Sequence, residues 1–494
     1  MESQDIKPKL PQDEHIVENK ELNIWEALIP VIALVLMLFF NVKYVFGDDA
    51  LAGSNQFILL LGASVAAIVG FFNKVTYKQM LEEVSENIQS TTGALLILLF
   101  VGSLAGTWLI SGIIPSMIYY GLQILNPSIF LPATVIICAI ISIATGSSWT
   151  TSATVGIALV GIGNALGINP GMTAGAVISG AYFGDKMSPL SDTTNLAPAM
   201  AGGELFSHIK YMTYTTVPTI VVTLIIFVII GLNLNVTGST DTSSMLASIK
   251  ESFNITPWVF IVPAIVIVLI IKKTPPLIAL LIGTLLGGLF ALIFQPEILK
   301  QITGTNELTF ISGYKGIMNA ITVDTSIATS SEELNDLFSS GGMYGMLGTI
   351  WLIICAMVFG GVMDAIGALS RISKSVLNLF DTVFGLFAST VISCVGLNAI
   401  ASDQYLAIVI PGRMYKKAFE DKNLAPENLS RTLEDAGTVT SVLVPWNTCG
   451  AYQSSVLGVD TMSYAGYAFF NYLSPFTTLV FAAFKIKIKQ ITNK

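Results

Sequence analysis

The sequence predicts an all-α polytopic membrane protein. It is expected to hold two inverted repeats, each with about five spanning helices, one of them broken, plus a re-entrant hairpin. Three observations carry that prediction. Only 24 Lys+Arg and 32 Asp+Glu occur in 494 residues, a charged fraction of 11%, against about 25% in ordinary soluble domains. Hydrophobic residues make up 53% and the mean hydropathy is +0.72, too much apolar surface for a soluble or disordered chain. Two stretches, 129–210 and 382–460, break apolar runs with dense polar clusters in the same order.

A bilayer core of about 30 Å needs roughly 20 apolar residues per helix. Spans are predicted at Ala27–Phe46, Gln56–Phe72, Thr92–Ile114, Val217–Leu232, Pro257–Ile271, Pro275–Phe294, Tyr344–Ile366 and Tyr464–Phe484. Met80–Ser90, with Glu82, Glu83 and Glu86, reads as an interfacial helix or loop, and SSEELNDLF as a short surface helix. The domain reading is a cytoplasmic tail over 1–24, a first repeat over 25–232 and an extracytoplasmic linker over 233–254. A second repeat follows over 255–484, with a polar loop at 296–341, and a cytoplasmic tail over 485–494.

In the first broken stretch ATGSSWTTSAT (144–154) precedes GDKMSPLSDTTN (184–195); in the second GLNAIASDQY (396–405) precedes LEDAGTVTSVLVPWNTCG (433–450). Matching discontinuous segments in two halves are how many secondary transporters build a midplane site. With the N-terminus inside, 19 of the 24 basic residues fall on the cytoplasmic side, in keeping with the positive-inside rule. Much of the acidic excess behind the net charge of −8 then lies outside, and the balance does not suggest nucleic-acid binding.

The four cysteines, Cys138, Cys355, Cys394 and Cys449, stand far apart in apolar stretches and read as small buried hydrophobes. With His15 and His208 the only histidines, a His/Cys metal site has almost no ligands to draw on. No GxxxxGK[ST] motif is present, so ATP coupling within this chain is unsupported.

Ionisable residues at membrane depth are costly and are functional candidates by default. They are Asp185 and Asp192 in the first broken segment, Asp403 at the tip of the second hairpin, and Glu434 and Asp435 entering the second broken segment. Lys186 reads as a counter-ion or a snorkelling residue. The carboxylates stand beside Thr193, Thr194, Asn195, Thr438, Ser441, Asn447 and Thr448. Carboxylates, hydroxyls and amide oxygens are the ligand set of a hard cation, and Asp192, Thr193, Asn195 and Asn447 are the expected Na⁺ set. Ser147, Ser148, Trp149, Thr150 and Thr151 are expected to line the site from the first hairpin tip. Trp149 and Trp446 are read as occupying matching breaks of the two halves.

ATGSSWTTSATVGIAL, GAYFGDKMSPLSDTTNLAP and EDAGTVTSVLVPWNTCGAY strongly resemble the NhaC family of Na⁺/H⁺ antiporters over nearly the whole chain. The resemblance implies two inverted repeats with re-entrant hairpins and a homodimer; with the charge bias, a multi-pass plasma-membrane protein with both termini cytoplasmic is expected. It implies Na⁺ and H⁺ as transported ions, the lipid bilayer as surroundings, and no cofactor. The family also contains malate/lactate antiporters, so a Na⁺- and H⁺-coupled organic anion exchanger is the alternative. A channel fits the broken two-repeat layout poorly, and no nucleophile–base pair points to an enzyme.

Overall fold

Asn23 opens the first helix as a capping box: Trp25 N donates to its side chain, and its own N–H donates to Glu26. The computed structural model describes residues 22–46, 53–124, 126–234, 242–329, 335, 338–377 and 382–491. Most of the predicted 1–24 tail, most of SSEELNDLF and the end of the 485–494 tail lie outside the described residues.

In chain order the helices are α1 (Ile24–Phe40), α2 (Ser54–Phe72), α3 (Tyr77–Ile110), α4 (Ile113–Ile124), α5 (Pro127–Thr145), α6 (Ser148–Thr151), α7 (Ile157–Ala165), α8 (Pro170–Met187), α9 (Asp192–Ala201) and α10 (Leu205–Asn233). Then come α11 (Thr242–Ser252), α12 (Ile261–Ile271), α13 (Pro276–Phe294), α14 (Pro296–Thr303), α15 (Phe310–Thr322), α16 (Gly342–Gly345), α17 (Leu347–Ala365) and α18 (Ala368–Leu377). The last are α19 (Val383–Ile400), α20 (Leu406–Asp421), α21 (Pro426–Leu433), α22 (Thr448–Leu457), α23 (Thr461–Ala465) and α24 (Phe469–Ala483). A two-stranded antiparallel ribbon pairs β1 (Thr325–Ser326) with β2 (Ser339–Ser340). Among the described residues eight helices are long and apolar enough to cross a membrane, or nine if the pair bent by 83° at residues 253–256 is one span.

Three elements differ from the prediction. Met80–Ser90 is neither a separate helix nor a loop but the first part of the 34-residue α3. At 1.5 Å per residue that helix is about 51 Å long, so its glutamate-bearing end projects beyond the apolar part. Among its described residues the 296–341 loop carries the helices α14 and α15 and the ribbon. In place of the predicted last span, Tyr464–Phe484, stands the shorter, 15-residue α24, because the chain breaks between α23 and Phe469.

The two broken stretches fold alike. The end of α7 returns to the start of α5: a side chain on Gly163 would meet the Phe130 ring at 3.1 Å. In α19 and α20 the Phe387 and Phe419 rings lie 5.2 Å apart, and Ser393 Oγ bonds Tyr415 Oη at 2.8 Å, so these helices also run back along one another. α8 packs parallel to α5. Gly180 faces Val135, Gly184 faces Ala139, and Ser188 Oγ donates to Ile143 O at 2.9 Å. A Cβ at Gly180 would lie 2.3 Å from Val135 O, and backbone cannot yield there. Gly180→Val is therefore expected to destabilise by at least the ~1–3 kcal/mol of an overpacked core. Thermal unfolding in detergent checks this; an unchanged midpoint would show that the helices can separate freely.

The boundaries recur at one fixed offset. Caps Thr382 and Asn447 stand 256 residues after caps Asn126 and Ser191. Pro426 and Gly458 stand 256 after Pro170 and Gly202. Ser142 Oγ→Ala181 O and Asn398 Nδ2→Gly437 O each bridge 39 residues; Ser148 Oγ→Asp185 Oδ2 and Ser441 Oγ→Gln404 Oε1 each bridge 37. The tips match too: Gly146 has φ +72° and Ser402 φ +59°. Glycine enters that left-handed region without steric cost, whereas Ser402 pays for it.

Candidate functional site

Both tips meet at one cavity of about 560 Å³. The first contributes Thr145–Trp149, the second Asp403, Gln404 and Tyr405; the break between α8 and α9 adds Pro189–Thr193, and α8 adds Asp185. Thr448 and Cys449 open α22 into it, while Ser90 and Thr91 of α3 and Lys273–Pro276 between α12 and α13 form the remaining wall.

Local chemistry sets each side chain. At the first tip Ser147 caps α6, taking Thr150 N at 3.1 Å, and Thr151 Oγ1 donates to Ser147 O at 2.9 Å. Ser148 then aims N–H and hydroxyl at one atom, Asp185 Oδ2, at 3.1 and 2.7 Å. Asp403 Oδ1 accepts from Tyr405 N and Leu406 N at 2.8 and 3.0 Å, an N-cap for α20. Thr194 Oγ1 satisfies the carbonyls of Asp185 and Lys186 freed where α8 ends. Asp192, the first residue of α9, is exposed.

Of the predicted residues the cavity gathers Asp185, Asp192, Asp403, Ser147, Ser148, Trp149, Thr193 and Thr448. Thr150, Thr151, Thr194, Asn195, Thr438, Ser441, Trp446 and Asn447 are not on its wall. The expected Na⁺ set is not brought together. The Asn195 amide nitrogen is held by Pro189 O and Ser191 O, and Asn447 Oδ1 caps α22 through Cys449 N at 3.0 Å. Both asparagines satisfy backbone groups exposed by the breaks, which is the common work of such side chains. The three aspartates share a wall without converging: no cluster of three or more His, Cys, Asp or Glu fit for a metal ion exists among the described residues.

The two tryptophans are not counterparts. At the 256-residue offset Trp149 matches Tyr405 and Trp446 matches Leu190. Trp149 stacks on Tyr452 with centroids 3.9 Å apart, and Tyr452 Oη donates to Trp149 O at 3.0 Å. Trp446 Nε1 ties its break to Ala399 O at 2.7 Å.

Glu434 and Asp435 lie in a π-helical turn that continues α21, off the cavity wall. Asp435 accepts from Lys186, from Thr215 at 2.9 Å, from Ser474 at 3.0 Å and from Thr478. Lys186 and Asp435 are fully buried, so Lys186 is a counter-ion and not a snorkelling residue. Both Glu434 oxygens are buried without a hydrogen bond among the described residues.

Sequence reasoning missed Gln404, Tyr405, Ser191, Ser90, Thr91, Lys273 and Cys449. Gln404 and Tyr405 directly follow Asp403, and Ser90–Thr92 is a polar run at the start of a span, so signals existed. Cys449 gave none: it reads as a small hydrophobe, yet its Sγ donates to Gln404 Oε1 at 2.7 Å.

Residues 180–486 match the profile of the Na⁺/H⁺ antiporter family. The chain is similar to the Na⁺/H⁺ antiporter NhaC of Alkalihalophilus pseudofirmus, 36% identical over 436 residues, 87% of this chain and 91% of that one. It is 35% identical to the malate-2H⁺/Na⁺-lactate antiporter of Bacillus subtilis, covering 85% of this chain and 87% of that one. It is 32% identical to the arginine/ornithine antiporter ArcD of Halobacterium salinarum, covering 95% and 94%. Long shared coverage at such identities, on a chain whose described residues hold eight or nine helices apolar enough to cross a membrane, settles the membership: this chain belongs to the NhaC-type Na⁺/H⁺ antiporter family.

Proposed function

We propose that this chain is a secondary active antiporter that exports Na⁺ in exchange for H⁺ by alternating access. The observation that carries the reading is the single cavity where Asp185, Asp192 and Asp403 meet serine and threonine hydroxyls at two helix breaks. A carboxylate out of bulk water binds either a cation or a proton, so loading one ion releases the other. Hydroxyls and freed carbonyls supply neutral oxygens for Na⁺.

The finer architecture belongs to the same reading. The constant offset and the meeting of both tips at one cavity support two inverted repeats, each with a re-entrant hairpin (α5–α7 and α19–α20). Cytoplasmic termini follow from the basic-residue bias. On that orientation Lys273–Pro276, which lines the cavity, belongs to a cytoplasmic turn. A homodimer in the plasma membrane completes the reading.

A second reading has its own observation. The cavity volume lies within the ~300–1,000 Å³ of small-molecule sites, and Lys273 is among the residues that line it. That fits an organic anion carried with Na⁺ and H⁺. Purified protein in liposomes, given a pH gradient and a matrix of Na⁺, Li⁺, K⁺, malate and lactate, separates the two. Na⁺ alone is expected to dissipate the gradient; exchange that starts only when an organic acid is added favours the second reading. Asp192→Asn is expected to lower Na⁺-dependent proton release at least about tenfold, the effect of ~1.4 kcal/mol. Unchanged flux removes Asp192 from the ion path.

A further inference from the structure

A second cavity, of about 400 Å³, lies apart from the first. One wall is a single stripe of α10, Ser207, Lys210, Tyr211 and Tyr214, spaced to share one helix face. The other is the segment after α24, which brings Lys487 and Lys489.

That segment is tied down as an antiparallel bridge against the turn after α20. Ala425 N donates to Lys489 O at 2.9 Å, and Ile491 N to Asn423 O at 3.0 Å. The Tyr211 hydroxyl accepts from Lys489 N at 3.1 Å and donates to Lys487 O. Two of the three ammonium groups have no carboxylate partner among the described residues. Lys489 is spent on Glu427 at 2.5 Å, and Glu427 also accepts from Ser207 Oγ. Lys487 Nζ stands 5.0 Å over the Tyr214 ring, and no carboxylate pairs with Lys487 or Lys210 among the described residues.

The surroundings say what kind of anion fits. From Tyr214 onward the outer face of α10 is apolar and exposed: Val217, Val221, Ile225 and Val228. α24, joined to it by Thr219 Oγ1→Thr477 Oγ1 at 2.9 Å, adds exposed Phe476 and Val480. A ligand here meets ammonium groups at one end and a lipid-facing surface at the other.

We propose that this cavity binds the phosphate headgroup of an anionic phospholipid, with the acyl chains along α10 and α24, and so fastens the C-terminal segment to α10. Ammonium groups recognise phosphate as compact point charges. Free inorganic phosphate shares that chemistry but has no use for the apolar face.

The test uses the full-length chain, purified and delipidated. Binding of phosphatidylglycerol and of phosphatidylcholine is counted by native mass spectrometry, with inorganic phosphate as a separate arm. Phosphatidylglycerol is expected to bind at least tenfold more tightly than phosphatidylcholine. Lys210→Ala/Lys487→Ala is expected to weaken it about 25-fold, roughly fivefold per lysine, with phosphatidylcholine unaffected and the arginine pair retaining binding. Equal affinity for the two lipids, or an alanine pair that binds normally, overturns the proposal. So does inorganic phosphate competing the lipid away at millimolar concentration. If the double variant does not fold, Lys210→Gln alone is held to the same criterion at fivefold.

Discussion

Asp185→Asn is expected to reduce Na⁺-dependent proton exchange about 100-fold while leaving a folded protein. The asparagine oxygen can still accept from Ser148 N and Oγ, so the tip stays docked on α8. What disappears is the negative charge at the meeting point of the first tip, α8 and the α8–α9 break. Hydrogen bonds to charged groups are worth about 1.5–3 kcal/mol, and the upper end corresponds to about 100-fold. Fluorescence dequenching in proteoliposomes reads the exchange, and the unfolding midpoint in detergent reads the fold. Full exchange by a folded Asp185→Asn protein would falsify a role for this carboxylate. A large drop in midpoint would assign it a structural role instead.

Asp435→Ala is expected to be the most damaging single change for stability. It strips Lys186 of its counter-ion in a fully buried site and leaves Thr215, Ser474 and Thr478 without their acceptor. Removing one partner of a buried pair costs about 3–5 kcal/mol, a large share of the total for any domain. Removing both charges is far milder, because no uncompensated ion remains. Lys186→Met/Asp435→Leu should therefore recover most of the folded yield that Asp435→Ala loses. Equal losses in single and double variants would mean that the hydroxyl network, and not the ion pair, holds α8, α10 and α24 to the second broken segment.

Much of the fold was legible because bilayer physics leaves few choices: apolar segments of sufficient length become helices, and polar clusters inside them become breaks. Both α5 and α19 are long and apolar enough to cross a membrane, yet neither was predicted as a span. Nor did three glutamates stop α3, because charge is no obstacle to a helix that has left the apolar layer. The site was legible to the level of segments, not of side chains. Asp185, Asp192 and Asp403 reach one cavity, whereas Glu434 and Asp435, which open a π-helical segment, are off its wall. No periodicity announces where a π turn will rotate its residues. Asn447 looked like an ion ligand and serves as a helix cap, since either use asks for the same oxygen.

The 256-residue offset has a consequence for charge. Each cavity carboxylate has an uncharged counterpart: Asp185 pairs with Ser441, Asp192 with Thr448 and Asp403 with Ser147. The element boundaries recur at that offset, but the acidic side chains do not. A faithful duplicate would put six acidic groups around one small space, where their mutual repulsion would hold several of them neutral at once. Losing the acid from one member of every pair leaves three, two supplied by the first half and one by the second. The acids of this one cavity thus come from both broken stretches, and neither stretch supplies all three.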